Sequence, residues 1–237
     1  GGIGHELRGP LGSIKNAVYL LRQAIAAPDA DAREMLDLLG RQVDASDRIL
    51  TSLLSFARPQ PTVRRPTDVR AAIDAALAQA ALPDNIVVQR EFDADLPKAQ
   101  ADSDQLQIVF SNLIRNAAQA MPEGGVLTIG AKQISDFRFQ NSDLPIASRS
   151  ETANHKSEII NLKSEIEIRV TDTGTGIALE AVDKIFQPMF TTKTRGLGLG
   201  LALCKMIVEA HGGTISVASQ VDQGTTFVIS LPLESNG

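Results

Sequence analysis

From Leu7 the apolar residues Leu7, Leu11, Ile14, Val18, Leu21 and Ile25 step by four, three, four, three and four, which is the spacing of a heptad seam on an α-helix. Pro28-Asp29-Ala30-Asp31 breaks the pattern. A second helix is predicted over 31–57, with one seam at Leu39, Ile49, Leu53 and Phe56 and another at Leu36, Val43, Leu50 and Leu54. One partner helix cannot cover two stripes, so the hairpin is expected to complete its core with a second copy of itself as a four-helix bundle. Residues 58–66 carry Pro59, Pro61 and Pro66 with no periodicity and read as a stiff linker.

Beyond Pro66 helical and strand patterns alternate. Helices are predicted over 68–80, 104–120, 179–186 and 199–210, and strands over 86–92, 126–131, 165–171, 214–218 and 225–231. Glu165-Ile166-Glu167-Ile168-Arg169-Val170 alternates strictly, as in a sheet with one face under helices and the other wet. The second half is therefore expected to be a two-layer α/β sandwich. Residues 133–163 are polar and aperiodic, too long for an ordinary connection, and are expected to form a flexible surface insertion with His155 as a solvated loop histidine. The predicted organisation is a hairpin at 1–58, a linker at 59–66 and an α/β domain at 67–237.

Composition narrows the function classes. The chain has 237 residues and a net charge of −5, which argues against a general nucleic-acid surface, since that needs clustered Lys and Arg. Cys204 is the only cysteine, so no internal disulfide framework exists and a reducing cytosol suits the chain. No apolar run reaches the length of a membrane span and no secretory signal is visible. The chain begins on Gly1 without an initiator Met. It is expected to be the cytoplasmic catalytic part of a longer protein, with a sensor or membrane anchor possible upstream.

Four segments carry candidate chemistry. His5 falls beside the first apolar seam, and a surface histidine is its plain reading. Glu6 and Pro10 change that, because a proline inside a helix removes the bond to the carbonyl four residues earlier, here that of Glu6, and packing does not ask for such a break. A neutral imidazole offers one nitrogen for attack while a neighbouring carboxylate holds or removes the proton on the other. Asn112 and Asn116 lie four apart on a predicted helix, so both amides share a face and offer hard oxygens suited to Mg²⁺. Asp172-Thr173-Gly174-Thr175-Gly176 directly follows a strand, which lets the backbone turn tightly around a ligand. Gly196, Gly198 and Gly200, separated by Leu197 and Leu199, run into an apolar helix whose N-terminus can hold phosphates. No Gly-Lys-Ser/Thr follows, so this is not the Walker pattern.

In this order the segments resemble the transmitter core of bacterial two-component sensor histidine kinases. Residues 5–11 resemble the H box, 112–120 the N box, 172–177 the first glycine box, 186–193 the F box, 196–200 the second glycine box and 224–227 the closing one. Phe56-Ala57-Arg58-Pro59 and Gln119-Ala120-Met121-Pro122 lean toward the nitrogen-regulation subtype.

The resemblance implies an α+β chain: a hairpin that dimerises as a four-helix bundle, then a GHKL-type ATPase sandwich with a mixed sheet. It implies that Asp172 recognises the adenine amino group with Thr225 near the same base, that Asn116 and Asn112 hold Mg²⁺, and that Thr192, Lys193 and the glycines from Gly196 form a lid over the phosphates of ATP. It implies autophosphorylation of His5 with Glu6 taking the proton, then transfer to an aspartate of a response-regulator receiver domain. Gly9 stands where relatives often carry Asn or Thr linked to phosphatase activity, and Ile108 stands where they often carry a polar residue. The alternatives are an ATP-binding scaffold without phosphotransfer and a GHKL-type ATPase that hydrolyses ATP to drive closure.

Overall fold

A computed structural model of the chain describes residues 3–25, 29–57, 61–135, 164–192 and 197–233. These divide into two compact units, Gly1–Pro61 with Glu180–Met206, and Thr62–Leu179 with Ile207–Gly237.

In the first unit, helices α1 (Ile3–Ala24) and α2 (Ala30–Ala57) form the expected hairpin. Leu36, Val43 and Leu50 of α2 and Val18 of α1 are buried. These α2 positions are one of the two predicted stripes. The other stripe, Leu39, Ile49 and Leu53, is exposed to 45%, 43% and 40% within the single chain, as are Ile14, Leu21 and Ile25 of α1. Ion pairs clip the hairpin on its polar side, Arg22 to Asp37 at 2.7 Å and Lys15 to Asp44 at 2.9 Å. Both are half-exposed, so they set register more than they add stability.

The second unit is a helix-covered sheet. In chain order its elements are β1 (Arg65–Thr67), α3 (Val69–Gln79), β2 (Ile86–Phe92), β3 (Ala99–Ala101), α4 (Ser103–Ala120), β4 (Gly125–Ser135), β5 (Ser164–Asp172), β6 (Thr214–Gln220) and β7 (Gly224–Pro232); of the two helices between β5 and β6, α5 (Leu179–Val182) falls largely in the first unit and α6 (Gly200–Ala210) is divided after Met206. The main sheet has strand order β2-β4-β5-β7-β6. Only β2 and β4 run parallel; the remaining pairs are antiparallel, so the sheet is mixed. α3 packs on α4, and α4 lies across β4, β5 and β7. Ile166, Ile168 and Val170 of β5 and Phe227, Ile229 and Leu231 of β7 are buried, the period-two pattern that one covered face requires.

Three features differ from the sequence expectation. The predicted helix at 179–186 ends at Val182, after which the chain continues in i→i−3 turns, Lys184 N to Ala181 O at 2.9 Å and Gln187 N to Lys184 O at 2.8 Å. The small sheet of β1 and β3 was not predicted. Its two strands are three residues each, too short to show a period, and β1 takes Arg65 and Pro66 out of the expected linker. Finally, Gln133, Ile134 and Ser135 pair with Ile166, Glu165 and Ser164, so β4 extends into the stretch assigned to the insertion. The partner strand supplies bonds that the polar side chains do not advertise. Residues 136–163, including His155, lie outside the described residues.

Asp102 joins several elements. As N-cap of α4 its Oδ1 accepts from Asp104 N and Gln105 N at 3.1 and 3.2 Å, and its Oδ2 accepts from Val63 N at 3.1 Å. Its own amide donates to Nε2 of the fully buried His211 at 2.9 Å, and His211 Nδ1 lies 2.8 Å from the Ile207 carbonyl. With the Asp102 amide donating to Nε2, Nδ1 is the ring nitrogen left to donate to the Ile207 carbonyl. Asp102→Ala removes both the cap and the anchor of Val63. It is expected to cost about 1–2 kcal/mol of stability, read as a lower urea midpoint with an unchanged slope.

Candidate nucleotide-binding site

β5 ends at Asp172, which pairs in register with Leu127 of β4 on one side and Thr225 of β7 on the other. Asp172 and Thr225 are buried, with 4% and 5% of their surface exposed. With Ser219, which pairs with Thr225, they form one cross-strand row at the edge of an open recess of about 320 Å³ that Thr171, Ala218, Gln220, Gln223, Gly224 and Thr226 also line. A buried carboxylate needs donors, and the chain supplies one locally, for Gly174 N donates to Asp172 Oδ1 at 2.9 Å. The sequence positions named for the base therefore meet in one place.

The loop after Asp172 is held from several directions. Thr173 N donates to the Val126 carbonyl at 3.2 Å and Thr173 Oγ1 accepts from Val126 N at 3.0 Å. Thr175 N donates to the carbonyl of Ala120, at the end of α4, at 3.0 Å, and the Thr175 carbonyl accepts from Asp222 N at 2.9 Å. Ile177 N donates to Ser219 Oγ at 2.8 Å. Two glycines make this possible. A Cβ on Gly174 would stand 2.5 Å from the Ala120 carbonyl oxygen, and one on Gly176, whose φ is +68°, would stand 2.0 Å from that of Gln220. The Asp-x-Gly-x-Gly spacing is thus read out as close backbone approach at the first glycine and a left-handed residue at the second.

α4 carries both asparagines. Asn112 is buried and Asn116 half-buried. Asn112 Nδ2 donates to the Ile108 carbonyl at 2.9 Å and its Oδ1 accepts from the Arg115 guanidinium, so the Asn112 amide is engaged by its own helix. Among the described residues no group of three or more His, Cys, Asp or Glu is placed to hold a metal. The asparagine amides offer hard oxygens of the kind that suit Mg²⁺ alongside phosphate oxygens and water.

The remaining sequence-predicted residues belong to the other unit. His5 and Glu6 sit in α1, and their side chains lie outside the described residues. Thr192 is exposed, Leu197 is 43% exposed and Leu199 is buried. Gly198 has φ +66° and its carbonyl accepts from Met189 N at 3.1 Å, which ties the glycine segment to residues 189–190. Gly200 opens α6. Lys193 and Gly196 lie outside the described residues.

Sequence reasoning missed Ser219. It shares the half-buried phase of Ile215 and Val217 on the edge strand β6, one residue past the predicted strand, and its hydroxyl meets Ile177 N, the Gly224 carbonyl and Thr225 Oγ1. Away from the site, Glu167 has the one resolved titration shift among the described residues. Partial burial pushes its carboxyl up, but the hydrogen bond and charge of Arg169 at 2.7 Å, with Lys132 at 3.4 Å, outweigh this and hold it below the usual carboxylate range.

Comparison with known proteins agrees with the geometry. Residues 101–235 match the model of the histidine kinase-, DNA gyrase B-, and HSP90-like ATPases, and residues 1–62 match that of the His Kinase A (phospho-acceptor) domain. Sensor histidine kinase ZraS of Escherichia coli strain K12 is 35% identical over 236 residues, covering 98% of this chain and 44% of the relative. Sensory histidine kinase/phosphatase NtrB of Klebsiella oxytoca is 30% identical over 233 residues, covering 98% of this chain and 61% of the relative. The chain thus spans about half the length of these relatives. The crystal structure of full-length ShkA in complex with AMPPNP shares the fold, with a TM-score of 0.65 at 22% identity over 99% of this chain and 45% of that one. No helix among the described residues is long and apolar enough to cross a membrane. With an ATPase match over more than half its length and a phospho-acceptor domain ahead of it, the chain belongs to the histidine kinase-, DNA gyrase B-, and HSP90-like ATPase family, as a histidine kinase core.

Proposed function

We propose that this chain is an ATP-dependent protein-histidine kinase that phosphorylates His5 and hands the phosphoryl group to an aspartate of a response-regulator receiver domain. One observation carries the reading: the segment matching the phospho-acceptor domain, residues 1–62, contains a single histidine, His5. A ring nitrogen of His5 attacks the γ-phosphate in line with the departing ADP oxygen, and Glu6 takes the proton from the other nitrogen. Asp172 and Thr225 hold the adenine, and residues 192–200 cover the phosphates. Asn116, with Asn112 once released from Arg115, would hold Mg²⁺, which supplies charge neutralisation on the phosphate oxygens when bound. The protein works in the cytoplasm in this reading, and the nitrogen-regulation subtype is favoured by residues 56–59 and 119–122 and by the NtrB relative.

Incubation with γ-labelled ATP tests the proposal. Label is expected on a peptide from residues 1–62. Steady release of free phosphate with no labelled protein would instead support a GHKL-type ATPase, and tight ATP binding with neither outcome a scaffold.

The homodimer is the second part of the proposal, supported by the exposed stripe of Leu39, Ile49 and Leu53 on α2. Large apolar side chains exposed along one helix face are costly in water unless another surface covers them. Leu53→Glu leaves the buried stripe of the hairpin intact and places a charge on the outer one. Light scattering at micromolar concentration is expected to give a dimer for the unmodified chain and a monomer for the variant. A monomer in both would remove the bundle from the account.

A further inference from the structure

Resting on the reading that the recess beside Asp172 holds an adenine base, we propose that Ser219 is a positioning residue that accepts a hydrogen bond from the Thr225 hydroxyl and so fixes Thr225 as a hydrogen-bond acceptor toward the base's 6-amino group.

Ser219 Oγ lies 2.9 Å from the Gly224 carbonyl oxygen, 2.8 Å from Ile177 N and 2.9 Å from Thr225 Oγ1. A carbonyl only accepts and a backbone amide only donates, while a hydroxyl has one proton and two lone pairs. The single Ser219 proton therefore goes to Gly224, and one lone pair accepts from Ile177. What remains for Thr225 is the second lone pair, so the bond between the two hydroxyls is supplied by the proton of Thr225. The lone pairs of Thr225 are then what it offers beside its cross-strand neighbour Asp172.

Asp172 sits directly across the strand pair from Thr225, and carboxylate oxygens accept only. The recess thus presents two acceptors side by side. A primary amine, which has two hydrogens to give, matches that pair, whereas a carbonyl oxygen at the same place on the base would face lone pairs. Ser219 also ties this arrangement to the loop through Ile177, so the direction of the Thr225 hydroxyl and the path of the loop are set by one atom. Without Ser219 the Thr225 hydroxyl rotates among its staggered positions, and in some of them its proton points at the amine.

The test compares ADP with its 6-deamino analogue, purine riboside diphosphate, by calorimetry on the whole chain, with thermal unfolding as the fold check. Ser219→Ala is expected to lower the preference for ADP about three- to tenfold, mostly by weakening ADP. Thr225→Val is expected to lower it at least as much, and adding Ser219→Ala to Thr225→Val to change it no further. Ser219→Thr, which keeps the hydroxyl, is expected to restore it. If Ser219→Ala fails to fold, Ser219→Cys carries the same expectation, since a thiol is a poor acceptor. Equal weakening of both ligands by Ser219→Ala, or no change in either, would assign Ser219 a structural role only and overturn the proposal. Failure of the pocket reading looks different: the unmodified chain would bind neither nucleotide, or Asp172→Asn would leave ADP binding unchanged.

Discussion

Replacing His5 with Gln is expected to abolish labelling from γ-labelled ATP while leaving ATP affinity unchanged. Glutamine retains helix propensity, polarity and much of the volume, so α1 is preserved. Its amide nitrogen has no lone pair free for attack, so the nucleophile itself is removed, a loss of at least about a thousandfold in rate. Affinity stays because His5 belongs to the unit containing α1, whereas Asp172, Thr225 and Ser219 belong to the other. Autoradiography and calorimetry on the same preparation read the two quantities separately. Appreciable label on the variant would place the phosphoryl group elsewhere, and lost ATP binding would mean that His5 contributes to the nucleotide site.

Asp172→Asn is expected to act in the opposite way, weakening ATP binding and, through it, labelling. The asparagine carbonyl oxygen can still accept from Gly174 N, the 2.9 Å bond that shapes the loop, so the fold survives. Its amide then turns two hydrogens toward the recess, where the base's 6-amino group also brings hydrogens. A donor facing a donor in a site only 4% exposed costs about 1–3 kcal/mol, which is roughly a five- to 150-fold rise in Kd. Unchanged affinity with an unchanged melting temperature would move the base away from Asp172.

Much of this was legible in the sequence because the decisive signals were local. The strands β5, β6 and β7 follow from short alternating runs bordered by glycines, and the hairpin from heptad spacing; both periods are properties of neighbouring residues. Gly174 and Gly176 were readable for the same reason, since their spacing after Asp172 encodes a turn whatever packs around it. The illegible parts depend on partners distant in the chain. β1 and β3 are strands only because residues 65–67 and 99–101 meet. Asp102 looks like an N-cap in the sequence, but its bonds to Val63 and His211 span 39 and 109 residues. Ser219 reaches Ile177 across 42 residues, so nothing next to it in the chain marks it out. The two α2 stripes were both visible, and only the fold separates the one buried within the hairpin from the one left exposed on the single chain.

The account rests on a phosphorus–nitrogen bond at His5, and the chemical stability of the labelled protein tests this directly. The label is predicted to be lost in mild acid and retained in alkali, as a phosphoramidate is, and to vanish with His5→Gln. Label that withstands acid would be a hydroxyl ester, label lost in both acid and alkali would be an acyl phosphate, and either would contradict the assignment of His5 as the acceptor.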